Sequence, residues 1–221
     1  MSAKDELIKK AKYVLFPCRA SYSFYGKYPE TLVKFPLIEG SLYGTYKLNE
    51  HHFKPFYFKD YVLPMLEEVL HMGYNENDFE YVLADDNGFD ISHLDSKHNF
   101  KFDIYGLTHN EEIKDADFSE LRNCHRTESD LVGYHRLFIH PHACCRIINK
   151  TIDNNRVLVI SCDSHMIPII PVLSCYFKEI WVLDNRNNGK YVEKININDV
   201  TDVLIAGGFS PEWKFLDMNF N

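Results

Sequence analysis

The stretch RVLVISCDSHMIPIIPVLSCYF, Arg156–Phe177, opens as an aliphatic run, breaks into Ser161, Cys162, Asp163, Ser164 and His165, and then turns apolar again. A short β-branched run suits a parallel strand buried on both faces, whereas MIPIIPVLSCYF is apolar at helical spacing, with Pro168 acceptable in a first helical turn. Working outward, EIWVLD (179–184) reads as a second buried strand, NRNNGK as a polar turn, and DVTDVLIAGGF (199–209) as a third strand. Strand, helix, strand, connection and strand predict an open, mainly parallel sheet covered by helices on both faces. Ligands bind such sheets beyond the carboxyl ends of the strands, which is where SCDSH falls.

Two readings of that turn stay open on position alone. Asp163 or Ser164 can cap the following helix. Alternatively, Ser164 is a nucleophile beside backbone N–H groups able to stabilise an oxyanion. A serine nucleophile needs a base, and the base works best when a carboxylate orients it. YGTYKLNEHHFKPFYF, Tyr43–Phe58, supplies Glu50, His51 and His52, and in an extended segment Glu50 and His52 point to the same side. The next segment, 56–73, places Tyr57, Tyr61, Leu63, Leu66, Val69 and Leu70 on one helical face, with Gly73 as C-cap and Pro64 as a kink or near the start. Residues 74–130 are rich in Asp, Asn, Glu and His and read as an irregular insertion with hairpin character, turning at Asp86–Gly88.

Composition narrows the function. The 221 residues are 45% hydrophobic, enough for one domain spanning 1–221 with the insertion at about 74–130. A net charge of -8 disfavours nucleic acid, which needs clustered Lys and Arg. No run approaches a membrane span or a signal peptide, so a cytoplasmic location is expected, with export only if a signal is missing from this sequence. The six cysteines show no regular spacing and read as reduced thiols. HPHACC (140–145) lacks a pair of ligand knuckles, and no metal or cofactor is expected. AGG (206–208) lacks the lysine and hydroxyl of a phosphate loop.

YGTYKLNEHHFKPFYFKDYVLPMLEEVLHMGY and VLVISCDSHMIPIIPVLSCYFKEIWVLDNR resemble two blocks of DHHW-type and alginate O-acetyltransferase-like proteins, a branch of the SGNH/GDSL hydrolase superfamily. In that branch Asp-x-His-Trp precedes a helix, and Gly-Asp-Ser ends a later strand whose successor ends in Asp-x-Arg. The likeness covers roughly 41–74 and 155–206. It implies a three-layer α/β/α fold with Ser164 as nucleophile, His52 as general base and Glu50 as the orienting carboxylate. Arg186, and with it Asp163, would bind substrate. Glu50 stands where the pattern has Asp, Phe53 where it has Trp, and Cys162 where it has Gly. The implied activity is O-acetylation of a surface polysaccharide or its precursor through an acyl-enzyme, with an acetyl donor and a carbohydrate acceptor as partners. The alternatives are a carbohydrate esterase or deacetylase, and a catalytically degenerate carbohydrate-binding or assembly protein. Oligomeric state is not legible.

Overall fold

The structure of the protein is a computed structural model. It describes residue 7 and residues 9–15, 32–34, 55–83, 85–86, 89–90, 93–107, 111–123, 144–162, 166–184 and 194–207.

Among the described residues the main sheet has eight strands. In chain order they are β1 (Ala11–Leu15), β2 (Leu32–Lys34), β7 (Phe102–Gly106), β8 (Glu111–Ala116), β9 (Cys145–Asn149), β10 (Val157–Cys162), β11 (Glu179–Asp184) and β12 (Asp202–Gly207). Their spatial order is β2-β1-β12-β10-β11-β9-β7-β8. The first five in that order run parallel, and β9, β7 and β8 continue the sheet with antiparallel pairings. The fold is therefore α/β with a mostly parallel sheet. Two small pairs stand apart from it: β3 (Phe79–Val82) with β6 (His93–Ser96), and β4 (Asp85–Asp86) with β5 (Phe89–Asp90). The second half of the segment read as irregular thus contributes two strands, β7 and β8, to the main sheet.

The inner positions of the central strands are apolar, with one exception, because both of their faces are covered. Leu158, Ile160 and Cys162 of β10, Ile180 and Val182 of β11, and Leu204 and Ala206 of β12 join one core cluster. The intervening Val159, Trp181, Leu183, Val203 and Ile205 join another. This is the period-two alternation of a strand expressed in two cores instead of core and solvent. Ser161 interrupts it. It lies opposite Leu183 and Ile205, it is fully buried, and its hydroxyl has no hydrogen-bond partner.

The helix expected over 56–73 is present with a different register and end. It comprises α1 (Pro55–Tyr57), a π turn (Phe58–Val62) and α2 (Leu63–Leu70). The widened turn, in which Leu63 N–H bonds to Phe58 O, accommodates Pro64, which lacks an N–H and would crowd the carbonyl four residues back in a regular α-helix. One extra residue in a turn rotates the buried face by about 100°. Phe58 and Val62 consequently join Tyr57, Leu63, Leu66 and Leu70 in the core, while Tyr61 and Val69 are only partly buried. His71, not Gly73, takes the left-handed cap conformation at φ 47. The Glu67 carboxylate then accepts from the N–H groups of Met72 (3.1 Å), Gly73 (3.2 Å) and Tyr74 (2.8 Å), pinning the exit loop.

The crossover from β10 to β11 is shorter than the expected helix. A 3-10 turn (Ile167–Ile169) precedes α4 (Ile170–Leu173), and all four residues of α4 are buried. Pro168 and Pro171 restrict it to these compact turns. Buried Asn149 ties the crossover to β9, donating from Nδ2 to Ser174 O at 2.8 Å and accepting from Thr151 N–H at 2.8 Å.

Candidate functional site

The parallel strands fix one edge of the molecule. Cys162 pairs in register with Asp184 of β11 and Ala206 of β12, and Leu15 of β1 pairs with Gly207. Four strands therefore end side by side, at the edge where such sheets hold ligands. Asp163 and Ser164 are the first and second residues after β10, and Arg186 is the second after β11. Glu50 and His52 precede Pro55, the first residue of α1, by five and three residues. All five of these residues lie outside the described residues. What is described is the frame that leads into them.

That frame restricts which groups near the turn can react. Cys162 is 2% exposed and belongs to the core cluster, as a small buried thiol would. Cys144, Cys145 and Cys175 are likewise buried. Burial holds the Cys175 thiol well above its usual pKa, which keeps it in the unreactive thiol form. Ser161 is completely buried. No group of His, Cys, Asp and Glu suited to a metal ion occurs among the described residues.

A small cleft opens on the α1/α2 side of the sheet. Its walls are Phe58 from the π turn, Leu94 from β6, Phe118 from α3 (Phe118–Asn123), and Pro168, Pro171 and Val172 from the crossover. His93 and Arg122 are its polar residues. Its enclosed room is about that of one water-sized group. The end of α2 lies at the amino edge of the parallel strands, where Arg156, just before β10, donates to Leu70 O (2.6 Å) and His71 O (3.0 Å). Phe58, near the start of that helical segment, and Pro168, six residues past β10, line the cleft from the two segments that follow the two motif blocks. The cleft was not legible in the sequence, because its walls come from four separate stretches. The closely spaced prolines of IPIIPV were its one local signal.

Farther along the same face, Tyr74, Phe79, Phe118 and Tyr176 form an aromatic cluster with ring centroids 6.0–6.3 Å apart. The Tyr74 hydroxyl is buried there without a hydrogen bond, and burial, helped by Glu76 and Asp60, raises its pKa to about 12. Burial raises Tyr176 as well. Neither phenol is a base at neutral pH.

No protein-family model matches the chain, and no curated protein matches it. Solved structures do. A DHHW family protein from Eubacterium siraeum is 15% identical, with a TM-score of 0.62 over 96% of this chain and 83% of that one. Bacillus cereus PatB1 is 15% identical, with a TM-score of 0.65 over 98% of this chain and 89% of PatB1. PatB1 carrying a sulfonyl adduct matches with a TM-score of 0.61 at the same identity, over 98% of this chain and 91% of that one. At this identity the likeness is one of fold, extending over nearly the whole chain. No helix among the described residues is long and apolar enough to cross a membrane.

Proposed function

We propose that the chain is an SGNH-type serine acyltransferase that moves an acetyl group onto a carbohydrate hydroxyl, in a surface polysaccharide or its precursor. Ser164 Oγ attacks the acetyl carbonyl carbon while its proton passes to His52, held by Glu50. The ester C–O bond breaks, and the departing oxygen takes that proton, leaving acetyl on Ser164. An acceptor hydroxyl then gives its proton to His52, attacks the acyl carbon and releases Ser164, which recovers the proton. Arg186 and Asp163 bind substrate, the guanidinium by pairing with negative charge.

The observation that carries this reading is the in-register ending of β10, β11 and β12. It makes the segments bearing Ser164 and Arg186 leave the sheet from one edge. Ser161 and Cys162 are buried, so Ser164 is the hydroxyl of SCDS left for nucleophilic work. The fold likeness to a DHHW family protein supports the assignment of the two motif blocks. The sulfonyl adduct of PatB1 fits a fold that presents an activated nucleophile, since sulfonyl groups are captured by such side chains.

Incubation with p-nitrophenyl acetate is expected to give a burst of p-nitrophenol and a mass increase of one acetyl group, both lost in Ser164→Ala. Addition of acceptor oligosaccharides separates transfer from hydrolysis. An undiminished burst in Ser164→Ala would overturn the assignment.

A further inference from the structure

We propose that residues 79–96 form an acidic arm that docks a cationic segment of a partner protein, with Leu83 as its apolar anchor. The two small strand pairs outside the main sheet are parts of one hairpin. Val82 pairs with His93, and three residues farther out on each strand Asp85 pairs with Asp90 and Asp86 with Phe89, so the register is unbroken. The sequence between Asp86 and Phe89 is Asn-Gly, the dipeptide that a two-residue hairpin turn favours. At about 3.3 Å per residue, each strand of the arm from Phe79 to Asp86 is about 26 Å long. Among the described residues no third strand joins it. A two-stranded hairpin on its own is marginally stable in water, and a partner that lies along it would stabilise it.

Charge gives the chemistry of that partner. Residues 76–95 hold seven of the 32 Asp and Glu and none of the 24 Lys and Arg, so nearly all of the net charge of -8 is carried there. At the base of the arm Asp78 is paired with His98 at 2.9 Å. Glu80 and Asp95 form no ion pair among the described residues, yet they stand directly opposite each other, and Asp85 stands opposite Asp90. Like charges in directly opposed positions weaken a strand pair. The fold gains nothing from two such pairs on one hairpin, whereas a cationic partner neutralises both and is steered to them from a distance. The apolar side of the arm separates a protein from other cations. Phe79 is in the core, and Tyr81 packs against that core and stacks on Phe56 with 3.7 Å between ring centroids. By the period of two, Leu83 is the next residue in this row, and it is 76% exposed. An apolar side chain surrounded by carboxylates has the layout of an interface anchor with a polar rim. A polypeptide that carries Lys or Arg beside aliphatic side chains meets both features, and a cationic sugar chain meets only the carboxylates.

Backbone NMR of the whole chain, titrated with a short peptide of alternating Lys and Val, is expected to show saturable shifts at residues 79–96. The matching Glu-Val peptide should produce none. Glu80 and Leu83 are both exposed, so their variants keep the fold. Leu83→Ser is expected to weaken peptide binding by about 10-fold. Glu80→Gln is expected to weaken it by about 3-fold and to flatten its salt dependence. Because Glu80→Gln removes a like-charge pair, urea unfolding should show its stability unchanged or raised, which separates a docking role from a structural one. No binding of the Lys-Val peptide, shifts spread over acidic residues outside the arm, or equal affinity in Leu83→Ser would overturn the proposal. A glucosamine oligosaccharide that shifts the arm when the peptide does not would replace the protein partner with a glycan.

Discussion

Ser161 shows how much a single position can say. Its neighbours on the same face, Leu183 and Ile205, are apolar and buried, and its hydroxyl meets no partner. A buried hydroxyl without a hydrogen bond costs roughly 1–3 kcal/mol of desolvation. Ser161→Ala removes that cost and only one oxygen of volume, so urea unfolding should show stability unchanged or raised by up to about 1 kcal/mol. A loss larger than that would mean the hydroxyl has a partner in solution. The same argument separates the two serines of SCDS: one is enclosed by the core, and the other follows the end of the strand.

At the scale of elements, the helix across 55–70 is held at its carboxyl end by a device that its hydrophobic pattern conceals. The exit loop depends on one carboxylate, Glu67, which accepts three backbone N–H groups. Hydrogen bonds to a charged group contribute about 1.5–3 kcal/mol, so Glu67→Ala should lower the unfolding free energy by about that amount. Glu67→Gln should recover part of it, which chemical denaturation of the two variants will reveal. The helix itself was legible in the sequence, yet its buried face was displaced because a π turn breaks the 3.6-residue period on which that reading depends. The capping residue was displaced for a related reason. Gly73 does adopt a positive φ of 82, but the chain first turns at His71, a non-glycine residue in the same left-handed region. β10, β11 and β12 were readable because continuous apolar runs have few uses other than a doubly covered strand. β7 and β8 were not, since FDIYG and EEIKDA mix charge with apolar residues at the antiparallel end of the sheet. Of the candidate site, the sequence carried the motif residues and the strand ends they follow. The cleft exists only once Phe58, Leu94, Phe118 and Pro168 are brought together.

At the scale of the molecule, Arg156 connects three parts. It forms a bidentate pair with Asp202 of β12 (2.6 and 3.1 Å), donates to the last carbonyls of α2, and lies over the Phe177 ring at 4.5 Å. A planar guanidinium satisfies all of these at once, and an ammonium does not. Arg156→Lys is therefore expected to lower stability by about 1.5–3 kcal/mol. Near-wild-type unfolding of Arg156→Lys would show that a point charge suffices.

The strand order also has a consequence for how the protein is made. β1 has β2 on one side and β12 on the other, and β12 in turn separates β1 from β10. Residues 11–15 thus acquire their link to the centre of the sheet only after residues 202–207 have left the ribosome. At about 5–20 residues per second that interval is on the order of ten seconds or more. Through it the first strand pair waits beside a nascent chain whose middle can already pair β7, β8 and β9 locally. Parallel pairing between distant segments is slow to close. The amino-terminal strands are therefore where a chaperone has the longest opportunity to bind.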